Sequence, residues 1–261
     1  VGFLQRVFRN VGLDLTIAKM DAYAEYFGLG TTTGVEIGES TGIMSNPQEY
    51  LENHGVEWTD GVSAQAAIGQ ADNMFTPIQL ATMCATIANG GVRLQTHFLD
   101  KVTDYTGEEV IEEYEPVELY DAGISSDVLG VVQAGMQMVA TQGTASGVLA
   151  DYPVSIACKT GTAETSNDKN GTEANLSFVC YAPADDPEIA IAVMIEYGNK
   201  GSYAVNVAKD ILDQYFGFYT WDEDGNKYDQ SGNMVDDDGT IIKTAEELEE
   251  LGLTPGGQDT D

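Results

Sequence analysis

Cationic side chains are scarce in this sequence. Its 261 residues include 11 lysines and arginines against 43 aspartates and glutamates, a formal net charge of −32. A chain with that balance repels polyanions, so nucleic acid is excluded as a partner. Long apolar runs are also missing, because no window reaches the ~18–20 uninterrupted apolar residues that a membrane span requires. No basic-then-apolar signal opens the chain either.

Cysteine and histidine are equally sparse. Three cysteines, Cys84, Cys158 and Cys180, lie far apart among apolar neighbours without metal-ligand spacing, which predicts packed thiols and neither a metal site nor a cofactor. The two histidines, His54 and His97, occur in loop-like surroundings with no evident orienting acid. A cysteine hydrolase built on Cys158 therefore lacks the partners that it needs.

The sequence does contain enough apolar material, 43 %, for one large core. Helical spacing predicts helices ending near Phe27, over 76–88 and over 125–140, and the Gly- and Thr-rich segment 28–44 is read as a turn, a short strand and a loop. From about Asp151 three strand-like runs follow, VSIACKTGT, ANLSFVCYAP and EIAIAVMIEYG, and then an amphipathic helix, YAVNVAKDILDQYF. The predicted fold class is α+β, an antiparallel sheet covered by helices.

The composition shifts after Phe218. Residues 219–261 contain 13 acids and 2 bases, with Gly and Asn scattered among them. That leaves too little apolar material for a core, so residues 1–218 are predicted to form the domain and 219–261 an acidic, largely disordered tail with one short helix at TAEELEEL. The acids of DEDGNKYDQSGNMVDDDG do not follow the spacing of a calcium-binding loop.

One strand-like run ends in the sequence CKTGTAE. Lys159 supplies a fixed cation, Thr160 and Thr162 supply hydroxyl donors, and Gly161 leaves a ligand unobstructed. Binding of an acyl donor that carries a carboxylate requires these features. Lys159 would supply positive potential or move a proton, the two hydroxyls would hold the carboxylate, and a strand-edge N–H would face a developing oxyanion. Alone the triplet is weak evidence, since a lysine at a strand end is usually a solvated edge charge.

Further segments occur in a recognisable order. They are FGLGTTTGVEIGESTG, AAIGQADNMFTPIQLATMCATIANGG, GTASG, CKTGTAE and LSFVCYAPADDPEIAIAVMIEYG, followed by a closing helix. With them, the chain from about Val1 to Phe218 resembles the transpeptidase domain of penicillin-binding proteins, especially the class B group. The resemblance implies a penicillin-binding transpeptidase or serine β-lactamase-like fold, here incomplete.

The resemblance also implies a chemistry. Enzymes of this group are serine acyltransferases that attack D-Ala-D-Ala stem peptides, cross-link peptidoglycan and are acylated by β-lactams. It gives Lys159 and Thr160 substrate and proton-relay roles. Thr162 would meet the carboxylate with its hydroxyl and complete the oxyanion hole with its N–H, and Gly161 would leave room for the ligand. Cell-division or elongation proteins are the partners that it suggests.

The sequence departs from the family in lacking the S-x-x-K and S-x-N motifs in their expected place. Three look-alikes, Ser166 to Lys169, Tyr197 to Asn199 and Ser231 to Asn233, all follow Lys159 and are out of order. The resemblance implies that the missing residues, with a membrane anchor that places the domain outside the cytoplasmic membrane, lie upstream of Val1. The chain by itself is expected to be inactive and to fold poorly.

Other classes remain open at this point. A sensory or binding relative would take up a β-lactam or stem peptide without turnover, and a structural protein would keep the fold without the chemistry. A β-lactamase needs a water-activating base, and the class B segments IGQ and TPIQLA argue against it.

Overall fold

The computed structural model describes residues 3–164, 174–198, 200–237 and 239–253. The chain forms two compact units, Val1–Val205 and Asn206–Asp261. The boundary between them falls inside a helix, α8 (Ser202–Tyr215), whereas the composition of the sequence places it after Phe218.

The first unit combines helices with three small antiparallel sheets. Its helices are α1 (Phe3–Leu15), α2 (Ile17–Tyr26), α3 (Pro47–His54), α4 (Asp60–Ala66), α5 (Pro77–Ala88), α6 (Ser126–Thr141) and α7 (Ser146–Leu149). Its strands are β1 (Val92–Leu94), β2 (Lys101–Thr103), β3 (Val110–Glu113), β4 (Glu118–Asp121), β5 (Ala157–Glu164), β6 (Ala174–Ala182) and β7 (Ile189–Gly198). Strand β1 pairs with β4, β2 pairs with β3, and the remaining strands form a sheet in the order β5-β6-β7.

The β5-β6-β7 sheet confirms the three strands predicted from the sequence. All its pairings are antiparallel, and the short ADDP connection joins β6 to β7 as expected. Helices α5 and α6 pack against this sheet, α5 mainly on β7 and α6 on β5. The buried core between them combines Cys84 and Met136 from the helices with Ala157, Val179 and Tyr181 from the strands. The α+β class with a helix-covered sheet is thereby confirmed.

Helix α5 begins where the sequence predicts, and its first turn places a polar side chain in the core. Thr76 and Gln79 form a capping box, with Thr76 accepting from the Gln79 N–H and Gln79 accepting from the Thr76 N–H. Gln79 is fully buried, and its amide also donates to the carbonyl oxygens of Thr31 and Thr41 at 2.7 and 2.8 Å. The hydrogen bonds of this buried glutamine connect the loop before α3 to the first turn of α5.

That loop differs from its prediction. The sequence favours a short strand between residues 28 and 44, but the structure contains only an isolated bridge there, Ile43 to Met74. Side-chain contacts replace a sheet partner: the Glu39 carboxylate accepts from the N–H groups of Thr33 and Gly34, each at 2.9 Å. Local alternation cannot produce a strand where no neighbouring strand supplies the ladder hydrogen bonds.

The second unit forms a small sheet where the sequence predicts a largely disordered tail. Strands β8 (Tyr219–Trp221), β9 (Lys227–Asp229), β10 (Met234–Val235) and β11 (Ile241–Lys243) pair in the order β11-β10-β9-β8, and all pairings are antiparallel. Helix α9 (Ala245–Glu250) follows them and confirms the short helix expected at TAEELEEL. Its Leu248 is fully buried.

A seven-residue repeat explains how so acidic a segment folds. Each turn between these strands begins with an aspartate, whose carboxylate accepts a hydrogen bond from the N–H group four residues later. The residue just before that N–H is a glycine with positive φ. The aspartates are Asp222, Asp229 and Asp236, and the matching glycines are Gly225, Gly232 and Gly239. Hydrogen bonds to these carboxylates thus stabilise the turns of a segment that has too little apolar material for a large core. This use of the carboxylates also accounts for an acid spacing unlike that of a calcium loop.

Candidate active site

The predicted site residues lie together on the edge strand of the main sheet. Strand β5 carries Lys159, Thr160, Gly161 and Thr162, and only its β6 side is paired within the described sheet. Successive side chains of a strand lie on opposite faces of the sheet. Lys159 therefore lies on the same face as buried Ala157, the face on which α6 packs, and Thr160 and Thr162 lie on the opposite face. An open strand edge with a cation and two hydroxyls suits an extended ligand that carries an anionic group.

Lys159 lies at the end of the buried part of the strand. It follows Cys158, which is completely buried, and Lys159 itself is exposed. Neighbouring protein atoms partly desolvate the ammonium and lower the pKa of Lys159 from its ordinary value, because desolvation disfavours the charged form. The ammonium donates a hydrogen bond to the carbonyl oxygen of Thr160. A lysine whose pKa is lowered is better suited to exchange a proton than a fully solvated one.

Thr160 has a partner that the sequence did not predict. Its hydroxyl lies 2.7 Å from the hydroxyl of Thr144, in the loop between α6 and α7, and either oxygen can be the donor. Thr160 is half-buried and Thr144 is exposed. The segment GTASG contributed to the family resemblance, but nothing in the sequence indicated that its threonine reaches the site.

Gly161 is constrained by its neighbour across the sheet. It pairs with Ser177 on β6, and a Cβ built on Gly161 would lie 2.1 Å from the Ser177 hydroxyl oxygen. The sequence assigns the missing side chain to ligand access. In the structure the same absence also leaves space for Ser177, which sequence reasoning missed because its partner strand is not local.

Thr162 is exposed and pairs with Leu176 of β6. Together with Thr160 it places two hydroxyls on the same strand parity, two residues apart. The structure therefore brings the predicted cation, the glycine and both hydroxyls into four consecutive positions, and it adds Thr144 from a separate loop. This arrangement can bind a carboxylate and polarise a group that lies along the strand edge.

The look-alike motifs serve other purposes or fall outside the described residues. Ser166 to Lys169 lies within 165–173, which the structure does not describe. In the second unit, Ser231 and Asn233 both donate backbone N–H groups to Asp229, so that motif is a turn. Tyr197 lies at the C-terminal end of β7, with β6 between it and β5, and Asn199 is not described.

The structure agrees with the sequence on the buried cysteine Cys158 but differs from it on the partner of His54. Cys158 is completely buried, and burial raises its pKa to about 12, which leaves it unsuited to nucleophilic attack. His54 does have an acid partner, Asp72, at 2.8 Å, which the sequence did not reveal. His97 Nδ1 lies 2.8 Å from the carbonyl oxygen of Leu99. Among the described residues, no three His, Cys, Asp or Glu side chains are grouped to hold a metal ion.

Comparisons with known proteins identify the family of the chain. The family model described as "Penicillin binding protein transpeptidase domain" matches residues 3–213. Penicillin-binding protein 2A of Bacillus subtilis is 35 % identical over 222 residues, which are 78 % of this chain and 30 % of that protein. The peptidoglycan D,D-transpeptidase MrdA of Acinetobacter baumannii is 32 % identical over 211 residues, 76 % of this chain and 31 % of that protein.

Solved structures show the same likeness. The crystal structure of Pseudomonas aeruginosa PBP2 in complex with WCK 5153 superimposes with a TM-score of 0.69 and 27 % identity, covering 94 % of this chain and 50 % of that one. The chain thus spans about a third of the length of the curated relatives that it matches. No helix in the described part of the chain is long and apolar enough to cross a membrane. On the family match and these identities, the chain belongs to the penicillin-binding protein transpeptidase family, in its class B group.

Proposed function

We propose that this chain forms the carboxylate and oxyanion side of a peptidoglycan D,D-transpeptidase cleft. The observation that carries the proposal is the run Lys159 to Thr162 on the open edge of β5, within a chain that belongs to the transpeptidase family. The substrate would be a stem peptide ending in D-Ala-D-Ala, and β-lactams would compete for the same site. Both ligands carry a carboxylate beside the reacting carbonyl.

Each residue of the run has a role that fits its surroundings. The Thr160 and Thr162 hydroxyls donate to the substrate carboxylate, and the Thr162 N–H supports the developing oxyanion. Lys159 has a pKa lowered by partial desolvation, which suits a group that helps to move a proton during acyl transfer. Gly161 keeps the strand edge low enough for a ligand to lie along it, while its missing side chain also accommodates Ser177.

The nucleophile is the part of the proposal that these residues do not supply. The only S-x-x-K match in the sequence, Ser166 to Lys169, comes after Lys159 rather than before it. The proposal therefore includes a serine of an S-x-x-K motif upstream of Val1 in the reading frame. It also includes an extracytoplasmic position on a membrane anchor and association with division or elongation proteins, both taken from the family.

The test is covalent labelling of the protein by a fluorescent penicillin, with the residues that precede Val1 in its reading frame included. We expect a labelled band that unlabelled penicillin competes away. Lys159→Ala should slow labelling by about 100-fold or more, the size of effect typical for a proton-transfer group. The matched control is Lys101→Ala on exposed β2, which should label at the wild-type rate.

Two outcomes would contradict the proposal. One is a wild-type protein that takes up no penicillin although it is folded. The other is a Lys159→Ala variant that labels as fast as the Lys101→Ala control, which would mean that the edge of β5 is not the ligand site. A folded protein that takes up penicillin but transfers no acyl group from a stem peptide to an acceptor amine would favour a sensory domain.

A further inference from the structure

The loop between α6 and α7 holds one exposed threonine in a fixed position. Gly143, just before Thr144, packs against the end of α6 so closely that a Cβ there would lie 2.7 Å from Val139 Cα. Ala145, just after it, is only 1 % exposed, and its N–H donates to the Val139 carbonyl at 3.2 Å. Thr144 therefore lies between two residues whose backbone packs closely on the end of α6.

A further hydrogen bond fixes the far side of this loop. The Ser146 hydroxyl donates to the Gly143 carbonyl at 2.8 Å, and the Ser146 N–H donates to the same oxygen at 3.2 Å. The loop is thus closed on itself as well as on α6. An exposed side chain on so constrained a backbone loses little entropy when it forms a specific contact, because its Cα position is already set.

The contact that Thr144 makes is with a single residue of the site. Its hydroxyl lies 2.7 Å from that of Thr160, across 16 residues of sequence. A threonine hydroxyl has one proton and two acceptor lone pairs. If Thr144 donates to Thr160, then the Thr160 proton is free to point at a ligand, whereas with no donor from Thr144 that hydroxyl rotates among several directions.

We propose that Thr144 is a positioning residue that orients the Thr160 hydroxyl toward the substrate carboxylate. This rests on the proposed function of β5 and deepens it by adding a residue from outside the strand. Thr144 donates to Thr160, and Thr160 donates to the carboxylate, so the two hydroxyls form a short chain in which each bond polarises the next. Thr144 itself does not touch the ligand.

The experiment measures the rate and the reversible affinity of penicillin labelling on the protein with its full reading frame. Thr144→Val replaces the hydroxyl with a methyl group of the same size and should weaken reversible binding by about 3- to 10-fold, as expected for a hydrogen bond that supports a charged partner. The limiting acylation rate at saturating penicillin should stay within about twofold. Thr144→Ser keeps the hydroxyl and should restore the wild-type affinity.

A double-mutant comparison separates positioning from a structural role. In a Thr160→Val background, Thr144→Val should have no further effect, since the hydroxyl through which it acts is gone. The matched control is Thr141→Val, at the end of α6, whose hydroxyl bonds only the helix carbonyl of Gln137 in the described contacts. It should bind penicillin like the wild type, and all variants should keep their melting temperature within about 2 °C.

The outcomes are distinguishable. Equal weakening by Thr144→Val with and without the Thr160 hydroxyl would overturn the proposal, and so would a Thr144→Val variant with unchanged affinity. A wild-type protein that does not label at all would overturn the proposed function, and this inference with it. If the wild-type protein labels with penicillin and Thr144→Val binds penicillin with unchanged affinity, only the positioning role of Thr144 is overturned.

Discussion

Replacement of Gly161 by alanine should destabilise the first unit through one close contact. The added Cβ would lie 2.1 Å from the Ser177 hydroxyl oxygen, well inside the contact distance of two heavy atoms. Its next neighbours, the Ser177 Cβ at 3.5 Å and carbonyl oxygen at 3.7 Å, are at ordinary distances. The clash is therefore with the serine hydroxyl, and the backbones need not separate.

The size of the effect follows from how Ser177 can respond. Rotation of its side chain to another rotamer relieves the contact but changes packing on a half-buried part of the sheet. Overpacking of this kind costs about 1–3 kcal/mol. For a unit of this length that corresponds to a fall in melting temperature of about 2–4 °C for each kcal/mol.

A second substitution tests the cause. Ser177→Ala removes the clashing oxygen, so the double variant Gly161→Ala with Ser177→Ala should recover at least half of the lost stability. The matched control is Gly135→Ala in α6, where a Cβ meets nothing within 4 Å and should leave stability unchanged or raise it by up to about 1 kcal/mol. Urea unfolding followed by circular dichroism gives these free energies. If Gly161→Ala were neutral, or Ser177→Ala failed to rescue it, the packing explanation of this glycine would be wrong.

Three further predictions follow from the structure. The buried thiols should not react with a disulfide reagent at pH 8 until the protein is unfolded, because burial raises the pKa of Cys84 and of Cys158 to about 12. Above about pH 9 the unfolded thiols lose their protons while the folded ones keep them. The free energy of unfolding, measured by urea titration, should therefore fall by up to about 1.4 kcal/mol per pH unit for each thiol. Asp229→Ala should destabilise the second unit by about 1 kcal/mol, seen as faster amide exchange in β9 and β10, whereas Gln230→Ala should not, because Asp229 accepts the turn N–H groups. Deletion of residues 219–261 should leave penicillin labelling intact because the site residues lie in the first unit, and loss of labelling would refute this separation.

Much of the fold could be read from local pattern. Helix α5 (Pro77–Ala88) is capped by Thr76 and Asn89 as expected, since capping and helical spacing are properties of a few consecutive residues. The strands β5, β6 and β7 follow from three strand-like runs, the last two joined by the short ADDP connection. Strands β1 to β4, in contrast, are only three or four residues long and largely exposed, so they give almost no periodic signal.

The acidic segment shows where composition misleads. Its charge and low apolar content predict disorder, but the seven-residue spacing of aspartate and glycine places a hydrogen-bonded turn after each of the first three strands, β8, β9 and β10. That repeat is visible in the sequence and would have indicated a hairpin series. Composition averages over position, whereas turns depend on which residue occupies which position.

The sequence by itself determined which groups the candidate site contains: Lys159, Thr160, Gly161 and Thr162 are consecutive, and the period of a strand sets how their side chains alternate. The tertiary structure alone decided which groups surround them. Thr144 reaches Thr160 because α6 packs on β5 and ends beside it, and Ser177 lies opposite Gly161 because of the register of β6. Such contacts depend on the closure of loops between distant residues, and no local pattern encodes the positions at which those loops bring side chains together.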